Sequence, residues 1–247
     1  MQPQLSPVSD NTPVTLDTAS VVQTIGAHYR RPVGESYHES QFTIPEDVGR
    51  WVIRMRANKF QQYVKPTDTI AEYGVGHGWN LAGLTCAKRV GYDISDTVED
   101  VVRSHNIDFM PSWDMIPAAS ANVVICHHVL EHVPQPLETL AAIRRTLVPG
   151  GTLLLIVPHE REGWLNHYDI NEPNRHVYSW NVQSIGNLVH LSGFTINHTS
   201  IRRYGYDRAA AIKAKQLHLG EAGYHAIRNA ALLVRPRREI FLVATSN

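Results

Sequence analysis

The sequence has no excess of basic charge, few cysteines and no long hydrophobic run. Its 23 lysines and arginines are balanced by 23 aspartates and glutamates, whereas proteins that follow a nucleic-acid backbone usually carry a basic excess. Cys86 and Cys126 are its two cysteines, fewer than a secreted disulfide scaffold would carry. No apolar stretch approaches ~18 residues, and residues 1–20 lack the basic start and apolar run of a signal peptide. We therefore expect a cytoplasmic protein with neither a nucleic-acid nor a membrane partner.

The composition along the chain predicts a mobile tail followed by one domain. Residues 1–20 are rich in Pro, Ser, Thr and Gln, a composition typical of disordered segments. The remaining residues, 21–247, suit a single domain with additions. Its expected parts are an N-terminal helical cap at 21–65, an α/β core at 66–202 and 237–245, and a helical insert at 203–236.

Strand and helix patterns alternate through the core. Apolar runs predict strands at Thr69–Tyr73, Arg89–Asp93, Ile107–Met110, Asn122–Cys126, Thr152–Val157, Phe194–Ile201 and Glu239–Ala244. The intervening segments predict helices at Asn80–Ala87, Val98–Ser104 and Leu137–Leu147, and a further helix that begins at a Ser179 cap and ends near Leu191. This alternation predicts an α/β fold: a Rossmann-like, mostly parallel seven-stranded sheet with helices on both faces.

A glycine-rich loop joins the first predicted strand to the helix after it. It reads Gly74-Val75-Gly76-His77-Gly78, and glycines allow a backbone to turn sharply and to approach a ligand closely. The dinucleotide pattern G-x-G-x-x-G/A requires a small residue at position 79. Because this chain has Trp79 there, the loop disfavours NAD and FAD.

Two carboxylates follow later strands at the expected ligand edge of the sheet. Asp93 ends the second strand, where a carboxylate can accept two hydrogen bonds from a ribose diol. Asp114 follows the third strand, where a carboxylate could receive an adenine amino group. Either residue alone could be a turn or a cap. Together with the glycine loop, they predict a nucleoside-bearing ligand.

Four stretches of the chain resemble one enzyme family. They read EYGVGHG (72–78), GYDIS (91–95), VVICHHVLEHVPQPLETLAAIRRTLVPGGTLLLIVP (123–158) and NRHVYSW…LVHLSGF (174–194). They resemble class I S-adenosylmethionine-dependent methyltransferases, in particular the broad small-molecule group that includes ubiquinone-pathway O-methyltransferases. The resemblance covers about residues 68–200 and the final strand. Asn122 departs from the family, which usually has aspartate before the fourth strand.

The resemblance implies an enzyme that transfers a methyl group from S-adenosylmethionine to an O or N atom of a small-molecule acceptor and releases S-adenosylhomocysteine. The glycine loop would line the cofactor, and the turn that begins at Cys126–His128 after the fourth strand, called here the strand-four turn, would lie near its methionine portion. The expected cofactor-binding residues are Glu72, Tyr73, Gly74, Gly76, Gly78, Asp93, Ile94, Trp113, Asp114, Met115, Cys126 and His127. Two alternatives stay open: a non-catalytic S-adenosylmethionine-binding subunit that dimerises through the helical insert at 207–234, and an NAD-dependent oxidoreductase.

The segment His128-Val-Leu-Glu131-His132 fits H-x-x-E-H, an inverted zinc-protease pattern. That chemistry requires a helix, so that both histidines face one metal. Here the segment leaves a strand and meets Pro134 and Pro136, which disfavour a helix. We therefore expect neither zinc-protease chemistry nor a metal at the site, although a metal held by His159, His167 or His176 stays open.

The acceptor site is expected where the strand-four turn meets the long loop of residues 158–178. Histidine suits proton transfer near neutral pH, so His132 is our first candidate for a base or acceptor-orienting group, and His128 the second. The alternative is that His132 only holds the turn. The cap at 21–65 and the loop would roof the pocket, with Tyr37, His38, Trp164 and His167 as its expected lining residues.

Overall fold

A seven-stranded sheet lies at the centre of the chain. The computed structural model describes residues 44–159, 168, 174 and 176–247. The strands are β1 (Thr69–Tyr73), β2 (Lys88–Tyr92), β3 (Asp108–Met110), β4 (Ala121–His127), β5 (Leu147–Pro158), β6 (Phe194–Tyr204) and β7 (Arg237–Ser246). Their order is β3-β2-β1-β4-β5-β7-β6, with β7 antiparallel to both of its neighbours and the other pairs parallel. The predicted Rossmann-like fold is therefore confirmed.

Six α-helices accompany the sheet in the described part of the chain. They are α1 (Glu46–Phe60), α2 (Glu99–Ser104), α3 (Pro136–Thr146), α4 (Val182–Leu191), α5 (Asp207–Gln216) and α6 (Gly220–Val234). Short 3₁₀ turns lie at Gln61–Tyr63, Asp96–Val98 and Trp113–Met115. Within residues 44–159 and 176–247, none of the helices is both long and apolar enough to cross a membrane.

The central strands are buried on both faces because consecutive side chains enter different cores. On β5, Leu153 and Leu155 pack with residues of α3 and α4. Their neighbours Leu154 and Ile156 pack on the opposite face with residues of α1 and α2. A parallel strand covered by helices on both faces needs apolar residues at consecutive positions, which explains the unbroken apolar run in the sequence.

A third apolar cluster joins α1 to the two helices that precede the last strand. In it, Val52 of α1 packs with Ala211 of α5 and Tyr224 of α6. Trp79, the residue after the glycine loop, is buried in the same cluster, and the Arg56 guanidinium lies 5.3 Å from the centre of its ring. The helical insert is thus packed against α1 and the glycine loop. The division into cap, core and insert, and dimerisation through the insert, stay predictions.

The helix predicted at Asn80–Ala87 was wrong. Residues 79–83 form turns, and the side-chain amide of Gln61 replaces the helical hydrogen bonds: its Oε1 accepts from the Thr85 backbone N–H at 2.8 Å, and its Nε2 donates to the Thr85 carbonyl at 3.3 Å. A Cβ on Gly83 would lie 2.8 Å from the Ala57 Cβ, so the segment instead packs closely under α1.

The cap predicted at Ser179 is also wrong, because α4 begins two residues later. Asn181 is extended and accepts a hydrogen bond from the Ser184 N–H at 2.8 Å, and the Ser184 hydroxyl accepts one from the Asn181 N–H at 3.1 Å. This reciprocal capping box satisfies two free donors at the helix start. Trp180, just before it, forms a parallel bridge with His159, which holds the chain extended up to Asn181.

The strand order places the functional edge. From β1 the chain proceeds to β2 and β3 on one side, and then returns to β4 and β5 on the other. In open α/β sheets, ligands bind outside the carboxyl ends of the strands at such a switch point. Tyr73 at the end of β1 pairs with both Tyr92 and Cys126, so the glycine loop, Asp93 and the strand-four turn leave the sheet side by side.

Candidate active site

The glycine loop is fixed to the end of β2 by backbone hydrogen bonds. The N–H groups of Gly74 and Val75 both donate to the Tyr92 carbonyl at 2.8 Å, and the Gly76 N–H donates to Asp93 Oδ2 at 2.8 Å. Gly74, Gly76 and Gly78 all have positive φ, at 78°, 49° and 75°. Such angles are strained for other residues, so the sequence of three glycines permits this turn.

The three glycines meet different surroundings. A Cβ on Gly74 would collide with Val129 Cγ2, and one on Gly78 would lie 2.7 Å from Ile107 Cδ1. A Cβ on Gly76 would meet nothing within 4 Å. Gly74 and Gly78 are therefore required for packing, and Gly76 is the glycine of this loop that faces open space.

Asp93 holds the glycine loop to the turn after β2. Besides the Gly76 N–H, its carboxylate accepts the Ser95 N–H at Oδ1, at 3.0 Å. Both Asp93 and the next residue, Ile94, are half-buried. The structure therefore gives Asp93 the role of a turn residue, and its contact with a ribose stays a prediction.

Asp114, the residue predicted near adenine, and its neighbours Trp113 and Met115 in the expected cofactor set differ in exposure. The Trp113 side chain is only 4% exposed; its indole donates to the Ala142 carbonyl at 3.2 Å and its ring packs against Tyr73. The Asp114 side chain is 87% exposed and lies 3.7 Å from an Arg145 nitrogen, and Met115 is exposed as well. Trp113 therefore has a packing role beneath the surface of the ligand edge. Asp114 and Met115 have side chains that a ligand at this edge can reach.

Glu72, at the end of β1, is a buried carboxyl group. Asn80 Nδ2 donates to its Oε1 at 2.5 Å, while Glu72 Oε2 and Asn80 Oδ1 have no hydrogen-bond partner among the described residues. Burial raises the pKa of Glu72 to about 8, against the opposing effects of Asn80 and Arg56. Two buried oxygen atoms without a partner thus remain beside the glycine loop.

A buried ionic cluster lies behind the strand-four turn. Lys59 Nζ of α1 lies 2.5 Å from Glu239 Oε1 of β7. His127 Nδ1 faces Asn80 Nδ2 at 3.0 Å, and its Nε2 lies 3.3 Å from Lys59 Nζ. Burial and the Lys59 charge hold the pKa of His127 well below its ordinary value, so the ring is neutral. Burial favours a raised pKa for Glu239. Lys59, His127 and His128 oppose this effect and together hold the pKa of Glu239 well below its ordinary value.

Sequence reasoning missed Lys59, Asn80 and Glu239 as members of the site. Glu239 lies 111 residues from His128, and its place beside the strand-four turn follows from the antiparallel pairing of β5 with β7. An unpaired buried charge is costly, so a glutamate within an apolar strand pattern was the one available signal that a partner exists.

The two histidines predicted as catalytic lie on the turn after β4. His128 has φ +57°, its N–H donates to the Ile156 carbonyl at 2.9 Å, and its Nε2 lies 3.3 Å from Glu239 Oε2. The N–H of His132 donates to the Val129 carbonyl at 2.9 Å. Residues 128–135 form no helix, which confirms the reason for rejecting zinc-protease chemistry.

His132 also meets the segment that leads into α4. Its ring packs edge-on against His176, with centroids 4.8 Å apart, and its Nε2 lies 3.8 Å from Glu131 Oε1. The Glu131 carbonyl accepts the N–H groups of Val177 and Tyr178, at 2.8 and 3.2 Å. Backbone hydrogen bonds therefore hold this segment against the strand-four turn.

The predicted acceptor residues Tyr37, His38, Trp164 and His167 lie outside the described residues. A cavity of about 550 Å³ lies between α3, α4 and the segment before α4, where Tyr178, Trp180 and Leu188 line it. None of its lining residues belongs to the expected cofactor set, so this cavity does not test the predicted acceptor pocket.

The residues at this edge fit S-adenosylmethionine. Open space in front of Gly76 accommodates a ligand against the backbone. The buried oxygens Glu72 Oε2 and Asn80 Oδ1 offer hydrogen-bonding capacity for an amino or hydroxyl group. Such buried polar atoms normally have partners in folded proteins, and a bound cofactor would supply them.

We expect Glu72 to make the stability of the ligand-free chain depend on pH. The folded chain keeps this proton up to about pH 8, whereas the unfolded chain loses it near 4.5. The stabilisation is therefore complete below about pH 4.5 and is lost as pH rises through 8. Relative to Glu72→Gln, which stays neutral, the melting temperature of the wild type should fall between pH 5 and 9, by about 2–4 °C per kcal/mol lost. Thermal denaturation across this range checks it, with the exposed Glu138→Gln as control; a constant difference between wild type and Glu72→Gln would contradict it.

Lys59 and Glu239 should be energetically coupled in their contributions to the free energy of unfolding. Lys59→Met leaves a buried carboxylate without its ammonium partner, which should lower the free energy of unfolding by about 3–5 kcal/mol. Lys88→Met breaks an ion pair whose side chains are both 55% exposed, and should lose at most about 1 kcal/mol. Urea denaturation measures both. Combining Lys59→Met with Glu239→Gln should lose less than the sum of the single changes; additive losses would show that the pair is not coupled.

The chain matches known methyltransferases in sequence. The methyltransferase-domain family matches residues 44–199, well over half of the chain. The ubiquinone biosynthesis O-methyltransferase of Saccharophagus degradans is 29% identical over 116 residues, which cover 40% of this chain and 48% of the relative. The chain thus spans about half the length of this curated relative.

Solved structures share the fold. The phosphoethanolamine N-methyltransferase 2 of Haemonchus contortus, in complex with phosphomonomethylethanolamine and S-adenosylhomocysteine, has a TM-score of 0.58 at 13% identity, covering 94% of this chain and 60% of that one. A SAM-dependent methyltransferase of Thermotoga maritima has a TM-score of 0.57 at 14% identity, covering 90% and 100%. The chain therefore belongs to the methyltransferase-domain family, and its identification as a class I S-adenosylmethionine-dependent methyltransferase is confirmed.

Proposed function

We propose that this chain transfers the methyl group of S-adenosylmethionine to an O or N atom of a small-molecule metabolite. The observation that carries the proposal is the glycine loop at the β1/β4 switch point, where Gly76 faces open space and the Asp93 carboxylate holds the loop. The O-methyltransferase named among its relatives and the small phosphorylated amine bound by a fold neighbour support a small acceptor.

The chain's own residues would hold the cofactor at three places. Gly76 lets the ligand approach the backbone, the accessible Asp114 suits the adenine amino group, and the buried oxygens of Glu72 and Asn80 suit the amino group of the methionine portion. S-adenosylmethionine, when bound, supplies a methyl group already activated on a sulfonium. The protein's task is then alignment and exclusion of water, and positioning can contribute about 7–11 kcal/mol.

The strand-four turn would face the acceptor. His128 is held by Glu239 at 3.3 Å, and a carboxylate partner fixes the orientation of an imidazole ring. His132, from the same turn, is the alternative base or acceptor-orienting group. A positioned base contributes about 10²–10⁴ in rate when the acceptor is a hydroxyl or a protonated amine.

The proposal also covers the roof of the acceptor pocket, the class of acceptor, and the location and oligomeric state of the protein. The segments 21–65 and 158–178 would roof the acceptor pocket, because they are the ones long enough to cover the carboxyl edge of the sheet. The balanced charge of the chain favours a small acceptor over a nucleic acid. A cytoplasmic location and a homodimer through residues 207–234 complete the proposal.

We expect the full chain to bind S-adenosylmethionine or S-adenosylhomocysteine, and not NAD. Isothermal titration calorimetry measures this, and methyl transfer from labelled S-adenosylmethionine to a panel of hydroxyl and amine metabolites then tests catalysis. Cofactor binding without transfer to any acceptor would favour the non-catalytic subunit. Tight NAD binding without S-adenosylmethionine binding would contradict the proposal.

Asp93→Ala should weaken cofactor binding by roughly ten- to a hundredfold, since hydrogen bonds to a charged group contribute about 1.5–3 kcal/mol. The change also releases the Gly76 N–H, so the loop loses part of its support. Gly76→Val should weaken binding at least as much, because its side chain would enter the open space. Calorimetry compares both with Asp100→Ala, an exposed change on α2. Unchanged affinity in Asp93→Ala would show that the ribose lies elsewhere.

A further inference from the structure

We propose that Glu131, His132 and His176 form a binding site for a divalent transition-metal ion, with Zn²⁺ as the matching species. One atom from each side chain, a carboxylate oxygen and two imidazole nitrogens, lies within 4.8 Å of the others. The separation between His132 Nε2 and Glu131 Oε1 is 3.8 Å. This is long for a hydrogen bond and suits two atoms that ligate one ion.

The distances agree with zinc coordination. Imidazole nitrogen and carboxylate oxygen bind Zn²⁺ at about 2.0–2.2 Å, so two ligands at a tetrahedral angle lie roughly 3.4 Å apart. The side chains of Glu131, His132 and His176 therefore need to approach one another by about 1 Å or less on average to close around an ion. His132 and His176 are half-buried, which leaves their rings room for this adjustment.

The backbone brings the three ligands together from two separate segments. Glu131 and His132 leave the turn after β4, while His176 lies on the segment before α4. The Glu131 carbonyl accepts both the Val177 and the Tyr178 N–H groups, so the residue next to His176 is fixed to the residue that supplies the carboxylate. The H-x-x-E-H pattern therefore needs no helix here, because the second imidazole comes from His176.

A second group of potential ligands shows why the proposal concerns this site. His127, His128 and Glu239 also present one atom each within 4.8 Å of the others. There, however, Lys59 Nζ lies 2.5 Å from Glu239 Oε1 and 3.3 Å from His127 Nε2. The lysine ammonium already provides the cation of that cluster, and it would repel a metal ion.

The ligand set resembles that of a catalytic metal. Two histidines and one glutamate leave a fourth zinc position for water or substrate, and ligating groups are usually oriented by further polar neighbours. His128 lies near this ligand, but its Nδ1 is 4.0 Å from Glu131 Oε1, beyond hydrogen-bond distance. Since this turn faces the acceptor in the proposed function, on which this step rests, the open position would take a hydroxyl oxygen of the acceptor.

Zinc titration of the metal-free full chain tests the site. The chain is dialysed against a chelator and titrated with ZnCl₂ by calorimetry, and bound metal is counted by elemental analysis. We expect one Zn²⁺ per chain. Loss of even an outer-shell group typically weakens metal binding 10–100-fold, so His176→Asn and Glu131→Gln should each weaken it by about a hundredfold or more. His190→Asn, an exposed histidine on α4, should bind as the wild type does.

Two measurements keep a folding defect apart from the loss of a ligand. Glu131 is buried, so circular dichroism and the melting temperature are recorded for each variant without metal, and His132→Asn is a further ligand change if Glu131→Gln does not fold. S-adenosylmethionine affinity, measured on the same samples, tests the proposed function separately, since Zn²⁺ binding is read without the cofactor.

Two results would overturn the proposal. One is the absence of stoichiometric Zn²⁺ binding by the wild type. The other is wild-type Zn²⁺ affinity in both His176→Asn and His132→Asn. If Zn²⁺ binding is then lost in His127→Asn, the ion lies in the other cluster.

Discussion

The buried ion pair between Lys59 and Glu239 joins parts of the chain that are distant in sequence. Lys59 belongs to α1 and Glu239 to β7, and their charges meet behind the strand-four turn at 2.5 Å. His127 and His128 contact the same carboxylate. Because a buried charge is stable only when it is paired and hydrogen-bonded, α1, β4 and β7 must come together for any of these groups to be accommodated.

This cluster extends toward the cofactor edge through Asn80. Its amide group contacts both His127 Nδ1 and the buried Glu72 carboxyl. Glu72 lies two residues before the first glycine of the loop, so the polar groups form a path from the start of that loop to the strand-four turn. Polar contacts in a low-dielectric interior are strong when they are satisfied, which suits a site that must hold a charged cofactor and its acceptor in fixed positions.

The helical insert contributes to the same region from the other side. α5 packs on α1 through small residues such as Ala210 and Ala214, which allow close approach, and α6 packs there through Tyr224. Trp79, directly after the glycine loop, is buried in this contact. The bulky residue that disfavours a dinucleotide thus has a structural role as well, since it links the loop to the insert.

The sequence by itself determined the order of the strands, the glycine loop and the family. These features follow from local sequence patterns: apolar runs predict strands that are buried on both faces, and glycines predict positive φ angles. Only the tertiary structure decided that Gly76 alone of the three loop glycines faces open space and that Glu239 lies beside His128. It also decided that hydrogen bonds from the Gln61 side chain take the place of helical hydrogen bonds after the glycine loop. Those contacts depend on strand order and register across 111 residues of chain, and a side chain's own neighbours in sequence carry no record of them.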